Sequence, residues 1–517
     1  LFHPPIGDHI GRLWVFLFID MRWLIVFFHV ILSSQKADAQ FGFSHPHDFG
    51  HAGLGWGSLT LSNDTITIFG GIRENSQQAF GLLFSQFDTS GNLIHYKVYN
   101  DSMGDNMVKA YPNSFIKLDE SMGYAGVGGI FERKFGILAL YNTDGTIRQV
   151  IEYPDDILQD FYKEIIEVPD GFFVLGDKQL NDYHSHIFLM KTDTEGNKLW
   201  EKRYGHPTRE NYYGSIVKVN DNEYVIGGFT TLTPVQGQII KNTSNFYVID
   251  SLGNLKSSWQ SQESLNDIGV GFGLHKTEEN GWAYATVEGQ LQPDGFFERK
   301  WTFIKRDSAY NLVTQKSYGA FHNLNWMLNF KQLSNGDYLI IGSNVVRFDP
   351  PAQYVALHMG SLLRVSPTGD SIWHYADTAF AAALNVLYDV VELPSGSIIA
   401  CGYSRTNDPQ KDWGWLIKIS KDGCVDTLNC FPVSRIGDIL VKEQPLKAYP
   451  NPTSDFIHLE LPEDETSTYQ IFSLTGKLVV SGSIPDGEID VSTLPPGGYV
   501  LQIRSKSRAL VQKIIKM

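Results

Sequence analysis

The sequence predicts an all-β chain, a seven-bladed β-propeller followed by a small C-terminal immunoglobulin-like β-sandwich. Three observations predict it. After Gln40 the apolar and polar residues alternate over short runs bounded by Gly, Pro, Asn and Asp, which is the period of half-buried strands and turns. Between Phe41 and Val433 one unit recurs seven times at a spacing of about 55 residues, the length of a four-stranded blade. Beyond Pro445 the strand-like runs stand outside that repeat.

Taken in chain order, the first element is a leader. From Met21 the run MRWLIVFFHVILSSQKADAQ has a basic start, an apolar core from Trp23 to Leu32 and a small-x-small end at Ala37 and Ala39. Residues 21–39 are therefore expected to be a secretory signal peptide, with residues 1–20 an upstream extension of the reading frame. The alternative, one membrane helix from Leu13 to Leu32, would place Asp20 and Arg22 in mid-bilayer at about 2.5–3.5 kcal/mol each.

The repeat domain is expected over residues 40–433. Half of each unit is an apolar strand ending near glycine: ITIFGG from Ile66, GYAGVGG from Gly123, GFFVLGD from Gly171, EYVIGG from Glu223, DYLIIGS from Asp337 and SIIACGY from Ser397. The other half is strand, turn and strand around Gly91, Gly145, Gly196, Gly253, Asn311, Gly369 and Gly423. A further apolar strand precedes each glycine-ended one, starting at Ser215, Leu328 and Asp389 in three units. A lone four-stranded sheet cannot cover both of its faces, so the units must stack and close radially. Six or eight blades also fit the spacing. Trp200, Trp259 and Trp373 follow the turn at equivalent places and are expected to pack between blades.

Composition limits the partners. With 42 Lys and Arg against 57 Asp and Glu the net charge is −15, which disfavours nucleic acid and anionic lipid. No cofactor is indicated. The segment HPHDFGH brings His45, His47, Asp48 and His51 together, and the three histidines are weak metal-ligand candidates set against an edge-strand reading. The Asp residues of the turns, Asp88, Asp144, Asp193 and Asp422, lack a full calcium-loop ligand set and read as turn formers. Cys424 and Cys430 are expected to form a disulfide in an oxidising compartment, and Cys401 to be a buried small hydrophobe.

Long inserts occur in consecutive units, from Thr230, Glu288 and Asn344. Their tips are expected on one side of the ring, where Phe296, Phe297, Arg299, Arg347, Phe348 and Tyr354 form a candidate aromatic-basic binding rim. The sequence carries no nucleophile elbow, His-Glu-x-x-His or phosphate loop.

Residues 434–444 read as a linker and 445–517 as the second domain. Its motifs are Tyr449-Pro450-Asn451-Pro452, then Gly476-Lys477, then Leu494 with Gly498 and Tyr499, and finally the basic-apolar ending Lys513 to Lys516. In this order they resemble the C-terminal sorting domain (type A) of the type IX secretion system of Bacteroidota. The resemblance implies a seven-stranded sandwich that is read by the type IX translocon and sorting machinery. It also implies export through the periplasm to the outer-membrane surface or the medium, with lipopolysaccharide attachment after tail removal. The expected function is binding or scaffolding of a glycan or protein. The alternative is an extracellular polysaccharide hydrolase or lyase with its site on one face of the propeller.

Overall fold

The computed structural model describes residues 42–425 and 448–516, apart from 52, 74–78, 109–110, 120–121, 155–158, 180–183, 233–240, 262–272, 292–296, 320–322, 349–354, 378–383, 408–409, 460–466, 474–477, 485–486 and 505–508. The proposed leader and linker lie outside these residues. Among the described residues there are strands and turns and no helix.

Seven antiparallel blades form a ring. Blade 1 is Gly53–Ser62, Thr65–Arg73, Gly81–Asp88 and Leu93–Tyr99. In blade 2 the inner position is shared by Met107–Val108 and Phe115–Lys117, both paired with Tyr124–Ile130, and Phe135–Tyr141 and Ile147–Tyr153 follow. Blade 3 is Gln159–Val168, Gly171–Gln179, Ser185–Thr192 and Lys198–Tyr204. Blade 4 is Asn211–Asn220, Glu223–Leu232, Lys241–Asp250 and Leu255–Gln260. Blade 5 is Leu274–Lys276, Trp282–Leu291, Phe297–Arg306 and Leu312–Tyr318. Blade 6 is Asn323–Gln332, Tyr338–Phe348, Val355–Val365 and Ser371–Asp377. Blade 7 takes Leu384–Glu392, Ile398–Asn407 and Gln410–Ile419 from its own unit.

Its fourth strand comes from the other end of the repeat domain. Phe43–His47 pairs antiparallel with Gly414–Lys418. The ring is thus closed by main-chain hydrogen bonds between residues some 370 apart in sequence, which the reading of contiguous units had not foreseen. The segment carrying the histidine cluster is this closing strand.

Consecutive antiparallel pairing sorts the connections onto two faces. Tight turns after the first and third strands of each blade share one face, and the longer connections share the other, called here the loop face. The three long inserts all join second to third strands, so the strands that flank them end on the loop face, and the insert tips lie outside the described residues.

Turn chemistry also locks neighbouring blades. Asp193 accepts hydrogen bonds from the amides of Glu195 and Asn197 and from the Asn197 side chain at 2.7–3.0 Å, and Asp88, Asp250 and Asp307 repeat the pattern. These carboxylates therefore build turns. The glycine inside each turn sits over an apolar side chain of the preceding blade. A Cβ on Gly253 would lie 2.6 Å from Trp200, and one on Gly91 would lie 2.5 Å from Phe43 of the closing strand. Both glycines also hold a positive φ, of 72° and 83°, that disfavours other residues.

Blade 5 solves the same problem differently. The sequence pointed to Asn311 as its turn position, but Tyr310 takes the positive φ of 65° and its ring stacks on Trp259 at 5.4 Å. Trp373 completes the set under Gly423 and donates its indole N–H to Lys421 O at 2.9 Å. All three tryptophans pack between blades. Cys401 is free and fully buried in the blade 7–blade 1 core, where burial pushes its thiol well up. Cys424 is disulfide-bonded, and Cys430 lies outside the described residues.

The tail folds as two small sheets. Ala448–Tyr449, Phe456–Leu459 and Glu488–Asp490 make one; Ser467–Ser473, Leu478–Ile484, Gly497–Arg504 and Ala509–Lys516 make the other. Ile457, Ile471, Ile489, Val491, Leu501 and Ile514 fill the core between them.

Phe43 is the closing strand's contribution to the core and is 8% exposed. Phe43→Ala is expected to cost about 3 kcal/mol by removing a buried aromatic side chain. Thermal unfolding followed by circular dichroism should show the lower midpoint with the folded spectrum retained.

Candidate functional site

The innermost strands carry the chemistry. In blades 1, 3, 4, 6 and 7 each innermost strand has a β-bulge at the same register, between Trp56 and Ser58, Tyr162 and Glu164, Tyr213 and Ser215, Met327 and Asn329, and Leu387 and Asp389. A bulge re-aims the side chain that follows it. In all five blades that residue is polar and nearly or fully buried: Ser58, Glu164, Ser215, Asn329 and Asp389. Ser114 holds the corresponding register in blade 2 and is also fully buried.

These groups bond to one another across the ring. Asp389 accepts from the Ser58 hydroxyl at 3.1 Å, the Leu59 amide at 3.2 Å and the Asn329 carboxamide at 2.8 Å. Lys331 of blade 6 pairs with Asp389 at 3.3 Å and donates to Asn113 Oδ1 of blade 2 at 2.6 Å. Glu164 accepts from Ser215 Oγ at 3.1 Å. Lys331 therefore spans from blade 6 to blade 2, and the centre of the ring is filled by a polar plug. Burial raises the Glu164 carboxyl to about 8, against the opposing effects of the Ser215 hydrogen bond and the Lys331 charge.

Towards the loop face the innermost strands change character. The residue two places before the bulge is Phe161, Tyr212 and Trp326 in blades 3, 4 and 6, and Tyr111 holds that place in the turn entering blade 2. Tyr111 is half-buried, Tyr212 is half-buried and stacks on Phe229 at 5.0 Å, and Trp326 is 39% exposed. Tyr388 of blade 7 sits at the bulge itself and meets Tyr403 at 5.9 Å. Lys163 lies over the rings of Tyr111 and Tyr213 at 5.4 and 5.0 Å and is paired with Asp177. An aromatic mouth thus surmounts the plug. Sequence reading missed it because it began these strands at Ser215, Leu328 and Asp389, at or just before the residue that follows the bulge, whereas they begin at Asn211, Asn323 and Leu384.

The predicted rim is placed in part. Phe297 and Arg299 belong to the third strand of blade 5, and Arg347 and Phe348 end the second strand of blade 6, all towards the loop face. Arg299 pairs in register with Leu324, which links blades 5 and 6. Phe296 and Tyr354 lie outside the described residues. The three histidines turn to different partners. His47 packs on Trp56 and Phe87 at 5.5 and 4.9 Å, and burial with the nearby His45 lowers its imidazole to about 4. His45 stacks on Phe43, His51 meets Tyr96 edge-on, and Asp48 is paired with Lys411.

In the tail the separated motifs converge. The Tyr449–Pro450 and Asn451–Pro452 peptide bonds are cis. Asn451 Oδ1 accepts from the Ile515 amide at 2.9 Å, and the Thr453 amide donates to Ile515 O at 2.8 Å, so the opening motif is tied to the basic-apolar ending. Leu494 is 5% exposed, Gly498 pairs with Ile515, and Tyr499 donates its hydroxyl to Pro495 O at 2.7 Å. Gly476 and Lys477 lie outside the described residues. The family model described as secretion system C-terminal sorting domain matches residues 447–517. The tail is a secretion-system C-terminal sorting domain. This sorting domain implies export to the cell surface and contact with the secretion machinery.

No curated protein matches the sequence. Among solved structures, a protein of unknown function from Dyadobacter fermentans is 10% identical with a TM-score of 0.39, covering 73% of this chain and 98% of that one. The β-propeller domain of the trilobed protease from Pyrococcus furiosus is 8% identical with a TM-score of 0.37, covering 72% and 93%. An exo-β-1,3-galactanase from Phanerochaete chrysosporium is 11% identical with a TM-score of 0.27, covering 89% and 95%. Likenesses at this level assign neither activity nor ligand.

The Glu164 carboxyl binds its proton more tightly in the folded chain, near 8 against an ordinary 4.5. Its contribution to stability is therefore full below about pH 4.5 and is lost as pH rises through about 8. Glu164→Gln keeps the neutral hydrogen-bonding form, so the decline in melting temperature from pH 5 to 8 should flatten in the variant relative to the natural chain. Thermal melts at matched ionic strength check this.

Proposed function

We propose that the chain is delivered through the periplasm by the type IX route to the outer-membrane surface or the medium of a Bacteroidota cell. There the propeller binds a glycan or protein ligand at its loop face without chemical turnover, with lipopolysaccharide attachment after removal of the tail. The observation that carries this reading is the plug. A glycosidase pair must flank an accessible bond, whereas Glu164 and Asp389 are 4% and 1% exposed and are engaged with Ser215 and with Ser58, Asn329 and Lys331. A filled centre suits holding a ligand at the loop face better than cleaving one.

The full chain, incubated with soluble polysaccharides, is expected to release no new reducing ends or unsaturated products while retaining affinity for at least one polysaccharide or surface protein. Turnover that disappears in Glu164→Gln or Asp389→Asn would establish the hydrolase or lyase alternative instead. Deleting residues 445–517 is expected to leave a folded propeller trapped in the periplasm. Cell fractionation and surface proteolysis check the location, and normal surface levels of the truncated chain would contradict the assignment.

A further inference from the structure

We propose that the aromatic mouth over the plug is a stacking site for an uncharged glycan chain, which enters from the loop face and stops at the plug. This rests on the binding reading above and adds the ligand's chemical class and its place.

Three features converge. First, aromatic residues recur at one register of the innermost strands, with Tyr111, Tyr212 and Trp326 contributed by three blades, and Tyr388 stands at the bulge in a fourth. The packing tryptophans of the blade interfaces lie elsewhere, after the outer turns. Trp326 is exposed on an innermost strand whose neighbours Asn325 and Met327 are only 4% and 6% exposed. A large apolar side chain kept partly in solvent on an innermost strand is the kind of surface that sugar C–H faces cover.

Second, three cations near the mouth are paired with carboxylates. Lys163 is paired with Asp177, Arg405 with Asp412 at 2.6 Å, and Lys331 with Asp389 at 3.3 Å. The chain as a whole carries −15, which disfavours an acidic or sulfated polymer. An uncharged chain pays no such penalty.

Third, the plug fixes the depth. Asp389, Asn329, Ser58 and Lys331 saturate one another, so a ligand gains little by displacing them and cannot thread the ring. Beside Trp326, the His358 ring lies 5.8 Å away, and burial holds its imidazole below the ordinary value and hence neutral at pH 7.

The test is affinity electrophoresis of the full chain in gels containing β-1,3-glucan, xylan or mannan, with polygalacturonate and dextran sulfate as charged polymers. At least one neutral polysaccharide should retard the natural chain, with little change on raising salt. Trp326→Ala should weaken that retardation roughly tenfold, as loss of one stacking contact implies; Trp326→Phe should retain most of it, and Tyr212→Ala should fall between. Circular dichroism melts of each variant confirm folding, and Trp326→Phe keeps the comparison informative should the alanine variant be unstable. Equal retardation of the natural chain, Trp326→Ala and Tyr212→Ala overturns the mouth as the site while leaving glycan binding intact. Retardation confined to the charged polymers and abolished by salt overturns the uncharged class. Failure of every polysaccharide to retard the natural chain overturns both the site and the glycan reading.

Discussion

The structure depends on one pairing, the antiparallel ladder between Phe43–His47 and Gly414–Lys418. Each four-stranded sheet has two apolar faces and can bury them only against neighbours, so an open row of seven would leave two faces in water. The closing ladder removes those ends and makes blade 7 a composite of both ends of the repeat. It also brings Phe43 against the turn at Gly91, the same contact that Trp200 makes with Gly253 three blades on. Closure therefore reproduces, across the seam, the packing found at the other junctions apart from that between blades 4 and 5.

The same geometry explains why the centre of the ring is polar. Innermost strands present their bulges to one another at close quarters, and main-chain groups freed by a bulge need partners. Asp389 accepts from the Leu59 and Val390 amides and Asn329 from the Phe330 amide, Ser58 and Ser215 donate to the carboxylates of Asp389 and Glu164, and Lys331 bridges the remaining gap to Asn113. Such a network is stabilising only while each member is satisfied. A side chain held this tightly is poorly placed for chemistry, and the working surface proposed above lies outward of it, at the loop face.

Much of the architecture was legible in the sequence. The four-stranded repeat, the shared face of the strand ends that flank the long inserts, and the packing role of Trp200, Trp259 and Trp373 follow from glycine-ended strands and a fixed turn spacing. Blade 5 shows the limit of that reasoning, because Tyr310 adopts the positive φ usually taken by glycine and is held by stacking on Trp259 and Trp282 and by a tilted contact with Phe246. The plug and the aromatic mouth were not legible. Their residues are single letters in strands of different blades, and only the shared bulge register relates Tyr212 to Trp326 or Glu164 to Asp389.

The sequence by itself determined the strand period, the repeat spacing and the sorting tail, because alternation, turn chemistry and short motifs act between residues close in the chain. Tertiary structure alone decided which residues meet. Pairing Phe43 with Lys418, carrying Lys331 to Asn113, and drawing Asn451 to Ile515 are contacts across long separations, set by ring closure and sheet packing rather than by local propensity. The candidate site is made entirely of contacts of that second kind.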